Sequence, residues 1–93
     1  MTMSHAVVLI EAERDALPKL GEVLADMDGV AEAYSVTGEW DFVAIVRVRE
    51  HERLASVVTE AIVQLNGVMR TQTMVAFEAF SQHDLEALFS VGE

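Results

Sequence analysis

The chain repeats itself at a spacing of 38 residues, and this repeat restricts its fold more than any other feature. Gly29 and Gly67 lie 38 positions apart, and a valine follows each of them. At the same spacing, the apolar positions Val8, Ile10, Leu20, Val23, Leu24 and Met27 correspond to Val46, Val48, Val58, Ala61, Ile62 and Leu65. Because the first two positions alternate and the others follow a helical period, each half predicts a strand–helix–strand unit.

Local signals mark where these elements begin and end. We expect the first strand over 5–12 and the first helix after it, with Pro18 in the first helical turn, where its missing N–H is tolerated. Gly29 and Gly67 each follow a predicted helix, at a position where a left-handed residue commonly ends it. The last strand is expected over 68–80.

Two such units joined by a hairpin give the order βαββαβ. Because crossover connections are right-handed, both helices should lie on one face of a four-stranded antiparallel sheet whose first and third strands are central. The predicted fold is therefore an α+β, ferredoxin-like sandwich. We expect the whole chain, 1–93, to form one domain with a core over 5–80 and a helical tail over 81–93.

The central strands are apolar on both faces. Phe42 and Ala44 point to one side of the third strand, and Val43 and Ile45 point to the other. The apolar fraction of 52% is also above the usual ~45–50%. We therefore expect a second copy to cover the open face of the sheet in a dimer with twofold symmetry.

A tail over 81–93 follows the last predicted strand. The run from Ser81 to Asp84 resembles a capping box with aspartate in the usual place of glutamate. Leu85, Leu88 and Phe89 then form a short apolar stripe. This pattern predicts a short C-terminal helix, which could pack on its own domain or reach across to a neighbouring subunit.

Charge and composition exclude several classes of function. The net charge is −10, and the six basic residues are scattered, so the chain should not bind nucleic acid or a membrane surface directly. It has no signal peptide or membrane-spanning stretch, which predicts a cytoplasmic protein. The absence of cysteine excludes disulfides and thiolate chemistry. His5, His51 and His83 are far apart in sequence, so we expect no metal site. The sequence has no nucleophile elbow, P-loop or dinucleotide-binding glycine pattern, so we expect no cofactor and no catalytic residue.

The stretch VTGEWDF, residues 36–42, is the strongest candidate for a functional site. A turn needs Gly38, but it does not need a tryptophan held between Glu39 and Asp41. Backbone N–H groups at such a turn can hold a carboxylate, and an aspartate can pair with an ammonium, so Asp41 suits a zwitterion such as a free amino acid. Thr71 and Thr73 could add hydroxyl groups. The structural alternative is that Asp41 hydrogen-bonds the backbone and Trp40 packs at an interface.

The run 30–42, together with Leu65-Asn66-Gly67-Val68 and Thr71-Gln72-Thr73, resembles the effector-binding domain of the Lrp/AsnC family of transcription regulators. This resemblance covers 5–80. It implies dimers joined through their sheets, a ring of such dimers (an octamer or a decamer), and a small effector, often an amino acid, bound between dimers. The candidate ligand-binding residues that it implies are Ser35, Gly38, Glu39, Trp40, Asp41, Thr71 and Thr73.

Two departures from the family pattern affect the expected function. Trp40 stands where a smaller tyrosine is usual, which changes the size of effector that the site can take. Family members also carry an N-terminal helix-turn-helix domain, whereas this sequence begins almost at the first strand. We therefore expect a stand-alone sensor, or an accessory module that assembles with full-length Lrp/AsnC regulators.

Two other functions are compatible with the same fold. A small dimeric enzyme of the monooxygenase or isomerase type would need convergent polar residues between helices and sheet, where these strands are mostly aliphatic. An ACT-like amino-acid-binding module shares the βαββαβ order. Ligand between dimers, as opposed to ligand at a helix-edge dimer seam, would distinguish the expected family from the ACT-like module.

Overall fold

The computed structural model describes residues 3–80. Within this range the strands are β1 (Ser4–Ala12), β2 (Val30–Ser35), β3 (Phe42–Val48) and β4 (Val68–Val75). The helices are α1 (Leu17–Asp26), preceded by a 3-10 turn (Arg14–Ala16), and α2 (Glu52–Ala55), which continues as a π-helix over Ser56–Ile62. The helix predicted in 81–93 lies outside the described residues.

The four strands form one antiparallel sheet in the order β2-β3-β1-β4. The predicted central positions of the first and third strands are therefore confirmed, as is the βαββαβ order. Pro18 lies at the start of α1, where no helical hydrogen bond is lost. Gly67 has φ of 93°, in the left-handed region that ends the preceding helical segment as predicted.

The core lies between one face of the sheet and the helices. Its largest fully buried side chains are Val8, Ile10, Leu24, Val46 and Ile62. Burying each of them stabilises the fold by about 1.5–3 kcal/mol. Because Leu24 matches Ile62 and Val8 matches Val46 in the 38-residue repeat, the two halves contribute equivalent side chains to one core.

The second helix is wound more loosely than predicted. Its apolar pattern predicts a regular α-helix, but after Ala55 the backbone N–H groups bond five residues back, as in the 3.0 Å bond from Val63 to the carbonyl of Val58. Residues four apart drift by about 40° around an α-helix. The wider winding reduces this drift and keeps Leu54, Val58 and Ile62 buried along one side.

The last strand is shorter than predicted, because its neighbour ends. β4 pairs with β1 as far as Val75, opposite Ala6, and the Ala76 N–H still donates to the His5 carbonyl at 3.0 Å. Beyond this point β1 offers no further partner, since it begins at Ser4. Phe77 and Phe80 are accordingly exposed.

Each half of the chain contains the same β-bulge. The pairing of β2 with β3 skips Ala31, and the pairing of β4 with β1 skips Met69. These two extra residues are themselves 38 positions apart. The bulge in β4 lies opposite the end of β1, between Glu11 and Ala12.

The sheet face opposite the helices, which we call the open face, is apolar at its centre. It carries Val7 and Leu9 from β1, Val43 and Ile45 from β3, Tyr34 from β2, and Gln72 and Met74 from β4. The side chains on the two central strands are only half-buried. A patch of this kind on a small domain favours association, so the covering of this face by a second copy remains our prediction.

Candidate functional site

The β2–β3 turn, residues 36–41, closes on itself and on the neighbouring central strand. The Val36 N–H donates to the Asp41 carbonyl at 3.0 Å, and the Asp41 N–H donates to the Ile10 carbonyl at 2.9 Å. Gly38 has φ of 111° with open space around the position of a Cβ atom. The turn is therefore anchored at its base, while its glycine is exposed at the tip.

The carboxylate of Asp41 has a structural role in this anchor. Its Oδ2 accepts a hydrogen bond of 2.8 Å from the Ala12 N–H, at the end of β1. Asp41 is half-buried, and within residues 3–80 its Oδ1 accepts no hydrogen bond. One oxygen therefore bonds the backbone, as the structural alternative expected, but the donor is Ala12 at the end of β1.

Arg70 of β4 joins the turn to β1, and the sequence analysis missed it. Its Nε donates to Glu11 Oε1 at 3.1 Å, and its Nη2 donates to Glu39 Oε2 at 3.3 Å. Its guanidinium carbon lies 4.2 Å from the centre of the Trp40 ring, as in a cation–π contact. We call Glu11, Glu39, Trp40 and Arg70 the Arg70 cluster. In this cluster Trp40 packs against a residue of its own chain, so its position does not depend on a subunit interface.

Strand register is the signal that could have identified Arg70. Glu11 and Arg70 lie directly opposite each other in the β1–β4 pair. Cross-strand neighbours of opposite charge attract one another, so a sequence alignment of these two strands would have placed the pair together. The bulge made this alignment hard to predict from the Gly67 end of β4, because the register shifts between this pair and the next one, Ala12 with Val68.

The electrostatics of the turn favour a ligand that carries a cation. Three carboxylates, from Glu11, Glu39 and Asp41, accompany the single charge of Arg70 in these contacts. The hydrogen bond to Glu11, and then the one to Glu39, raise the pKa of the Arg70 guanidinium above its ordinary value, so it stays charged. The two contacts with β1 involve consecutive residues: Arg70 bonds Glu11, and Asp41 bonds Ala12.

Three of the expected ligand-binding residues lie on the other side of the sheet. Ser35 lies opposite Phe42, and Thr71 lies opposite Ile10. Because paired residues of a sheet share a face, both point toward the helix layer. Thr73 does the same and lines a groove of about 370 Å³ with Leu54 and other residues of the second helix. Within one protomer, the expected residues that lie close together are therefore those of the turn, Gly38 to Asp41. The serine and the two threonines lie apart from them.

The helix layer contains a larger groove that does not include the turn. It has a volume of about 470 Å³ and lies between the start of α1 and the loop before β4. Charged groups at its rim come from Glu13, Asp15 and Lys19. None of the expected site residues lines it.

The remaining predicted absences concern metals and membranes. Residues 3–80 contain no group of three histidine or acidic side chains arranged to hold a metal ion. In the same range, no helix has the length and apolar character needed to cross a lipid bilayer.

Comparison with known families finds a match to the Lrp/AsnC ligand binding domain over residues 5–85. Curated relatives include two uncharacterized HTH-type transcriptional regulators, one from Pyrococcus furiosus and one from Pyrococcus horikoshii. The first is 36% identical over an alignment of 75 residues, and the match covers 77% of this chain and 50% of the relative. The second is 33% identical over 75 residues, again 77% and 50%. The chain spans about half the length of these relatives.

Solved structures with the same fold match this chain over different shares of their own length. A crystal structure of a Thermus thermophilus protein is 46% identical, has a TM-score of 0.77, and matches over 85% of this chain and 99% of its own. A transcriptional regulator from Neisseria meningitidis, crystallised as a complex with L-Met, is 15% identical with a TM-score of 0.74. That match covers 85% of this chain and 53% of the regulator. At this identity it shows the shared fold alone.

Proposed function

Since the chain belongs to the Lrp/AsnC ligand-binding domain family, we propose that it is an effector-binding module of a transcription-regulation system and that its effector is an amino acid. The observation that carries this proposal is the turn site: Asp41 keeps one carboxylate oxygen available beside the exposed Gly38 turn. A carboxylate and free backbone N–H groups are the two kinds of partner that a zwitterion needs.

Each turn residue has a distinct part in this proposal. Asp41 Oδ1 holds the ammonium of the effector, and the backbone N–H groups at Gly38 and Glu39 face its carboxylate. Trp40, half-buried against Arg70, limits the size of the side chain that fits. The L-Met complex of the Neisseria meningitidis regulator supports an amino acid as the class of ligand.

The remaining expected residues would act from a second subunit. Ser35, Thr71 and Thr73 face the helix layer of their own protomer, so they do not converge with Asp41 within one chain. An effector bound between dimers would bring one protomer's turn near the helix side of another. This proposal is consistent with an oligomer of dimers whose sheets meet through the open face.

The module itself would regulate without reading DNA. The sequence carries a net charge of −10, which opposes binding to phosphates. We propose that it responds to its effector in the cytoplasm and acts as a separate sensor or through full-length Lrp/AsnC regulators. The contacting groups at the turn are carboxylates, a guanidinium and an indole, which suit binding more than catalysis.

Asp41→Asn tests the proposed function. A thermal-shift screen of the twenty amino acids on the unchanged protein first identifies the tightest ligand, and calorimetry then measures its Kd for both proteins. We expect the variant to bind about 10- to 100-fold more weakly, because a charged hydrogen bond of ~1.5–3 kcal/mol is lost. Asp26→Asn, an exposed change at the end of α1, is the matched control and should bind normally.

Asp41→Ala separates the structural role from the binding role. It leaves the Ala12 N–H without its acceptor, which costs about 1–3 kcal/mol and should lower the unliganded melting temperature by roughly 5–20 °C. Asparagine keeps an oxygen acceptor and should melt closer to the unchanged protein. If Asp41→Asn binds its ligand as tightly as the unchanged protein, Asp41 does not hold the ammonium.

A further inference from the structure

A bound amino acid brings a carboxylate as well as an ammonium, and the turn site is strongly acidic. The three carboxylates of Glu11, Glu39 and Asp41 would repel that group. Backbone N–H groups at Gly38 offer only partial charge. Arg70 is the cation that the structure places against this turn, through Glu39 and Trp40.

The guanidinium of Arg70 has hydrogen-bonding capacity to spare. Of its five N–H donors, one on Nε is used by Glu11 and one on Nη2 by Glu39. The side chain is 49% exposed, so its unused donors can be reached from solvent. A ligand carboxylate can accept two parallel N–H bonds from such a group, which gives direction as well as charge.

The two carboxylates that hold Arg70 are not equivalent. Glu11 lies opposite Arg70 in the β1–β4 pair, at 3.1 Å, and its side chain is 36% exposed. Glu39 lies on the turn, at 3.3 Å, and its side chain is 71% exposed. Glu39 can therefore swing away into water at little cost, whereas Glu11 is fixed by its strand.

We propose that Arg70 binds the carboxylate of the amino-acid effector and that Glu39 occupies this position until the ligand displaces it. Trp40 holds the guanidinium plane in place while the acceptor changes. This inference rests on the proposed function and adds to it the residue that recognises the second charge of the ligand. The ligand then lies across the end of β1, with Arg70 over Glu11 and Asp41 over Ala12.

Two variants and one altered ligand test this assignment. The probes are the tightest-binding amino acid from the screen and its carboxamide, which keeps the ammonium and loses the carboxylate. Arg70→Gln should weaken binding of the amino acid about 10- to 100-fold and leave the Kd of the carboxamide almost unchanged. Glu39→Gln removes the competing charge and should tighten binding of the amino acid several-fold.

Arg53→Gln is the matched control. Arg53 lies on the second helix, pairs at 2.8 Å with Asp28 in the loop after α1, and is about as exposed as Arg70. Its substitution therefore removes an arginine without changing the turn. This variant should bind both probes as the unchanged protein does. If Arg70→Gln fails to fold, as judged by its melting curve, Glu39→Gln decides the question alone.

The outcomes distinguish this inference from the proposed function. If Asp41→Asn weakens binding but Arg70→Gln does not, the amino-acid site stands and Arg70 is not its carboxylate anchor. Unchanged or weaker binding by Glu39→Gln shows that Glu39 is not displaced. A protein that binds none of the twenty amino acids overturns both proposals.

Discussion

Gly67→Ala should lower the free energy of unfolding by about 2–5 kcal/mol, which corresponds to a melting temperature roughly 10–30 °C lower. Two costs add. Alanine at φ of 93° is strained, and the new Cβ would overlap the Cβ of Ala16, before the start of α1. The Gly67 carbonyl also accepts the Glu13 N–H at 2.8 Å, so the loop cannot simply move away. Chemical or thermal denaturation measures the loss.

Two further variants separate these costs. Gly38→Ala has φ of 111° and meets no atom within 4 Å, so it carries the backbone strain alone and should cost about 1–2 kcal/mol. Adding Ala16→Gly to Gly67→Ala removes the overlapping methyl group and should restore the steric part. If Gly67→Ala is no more destabilising than Gly38→Ala, close packing at this loop is not important.

Ile45→Asp should dissociate the assembly into protomers near 10.2 kDa. Ile45 lies at the centre of the open face, on a central strand, opposite Val7 and Glu32. In a twofold interface the change buries two carboxylates together, and desolvation and repulsion should cost about 4 kcal/mol or more. The dissociation constant of the dimer should then rise about a thousandfold. Light scattering at micromolar concentration measures the mass.

Val63→Asp is the control for added charge. Val63 is 43% exposed and follows the second helix, away from the sheet, so this variant should keep the mass of the unchanged protein. The unchanged protein itself is expected to be larger than a dimer. Retention of that mass by Ile45→Asp, with a normal circular dichroism spectrum, would show that the open face is not the contact.

The topology was predictable because the signals for it are local and occur twice. The apolar periods and the glycines after each helix identify two strand–helix–strand units, and chirality restricts how they combine. Gly29 and Gly67, both with positive φ, end the helical segments where the sequence indicated. The family does not follow from these signals; the match over residues 5–85 shows it.

The details of the site were not predictable, because they depend on register. The bulge between Val68 and Arg70 determines which residue of β4 lies opposite Glu11 when the strand is counted from Gly67, so the pair of Glu11 with Arg70 was missed. The wider winding after Ala55 has no composition signal. The end of β4 at Val75 depends on where its neighbour begins, which periodicity within one strand does not show.

The paired bulges have a consequence for the ancestry of the chain. Ala31 and Met69 are extra residues at the same place in each half, one in each edge strand. From this agreement down to a single extra residue we infer that the two halves descend from one duplicated segment. The turn at 36–41 then joins the two copies. Because the turn lies between the repeated units, the packing of their shared core does not restrict the residues of the candidate site.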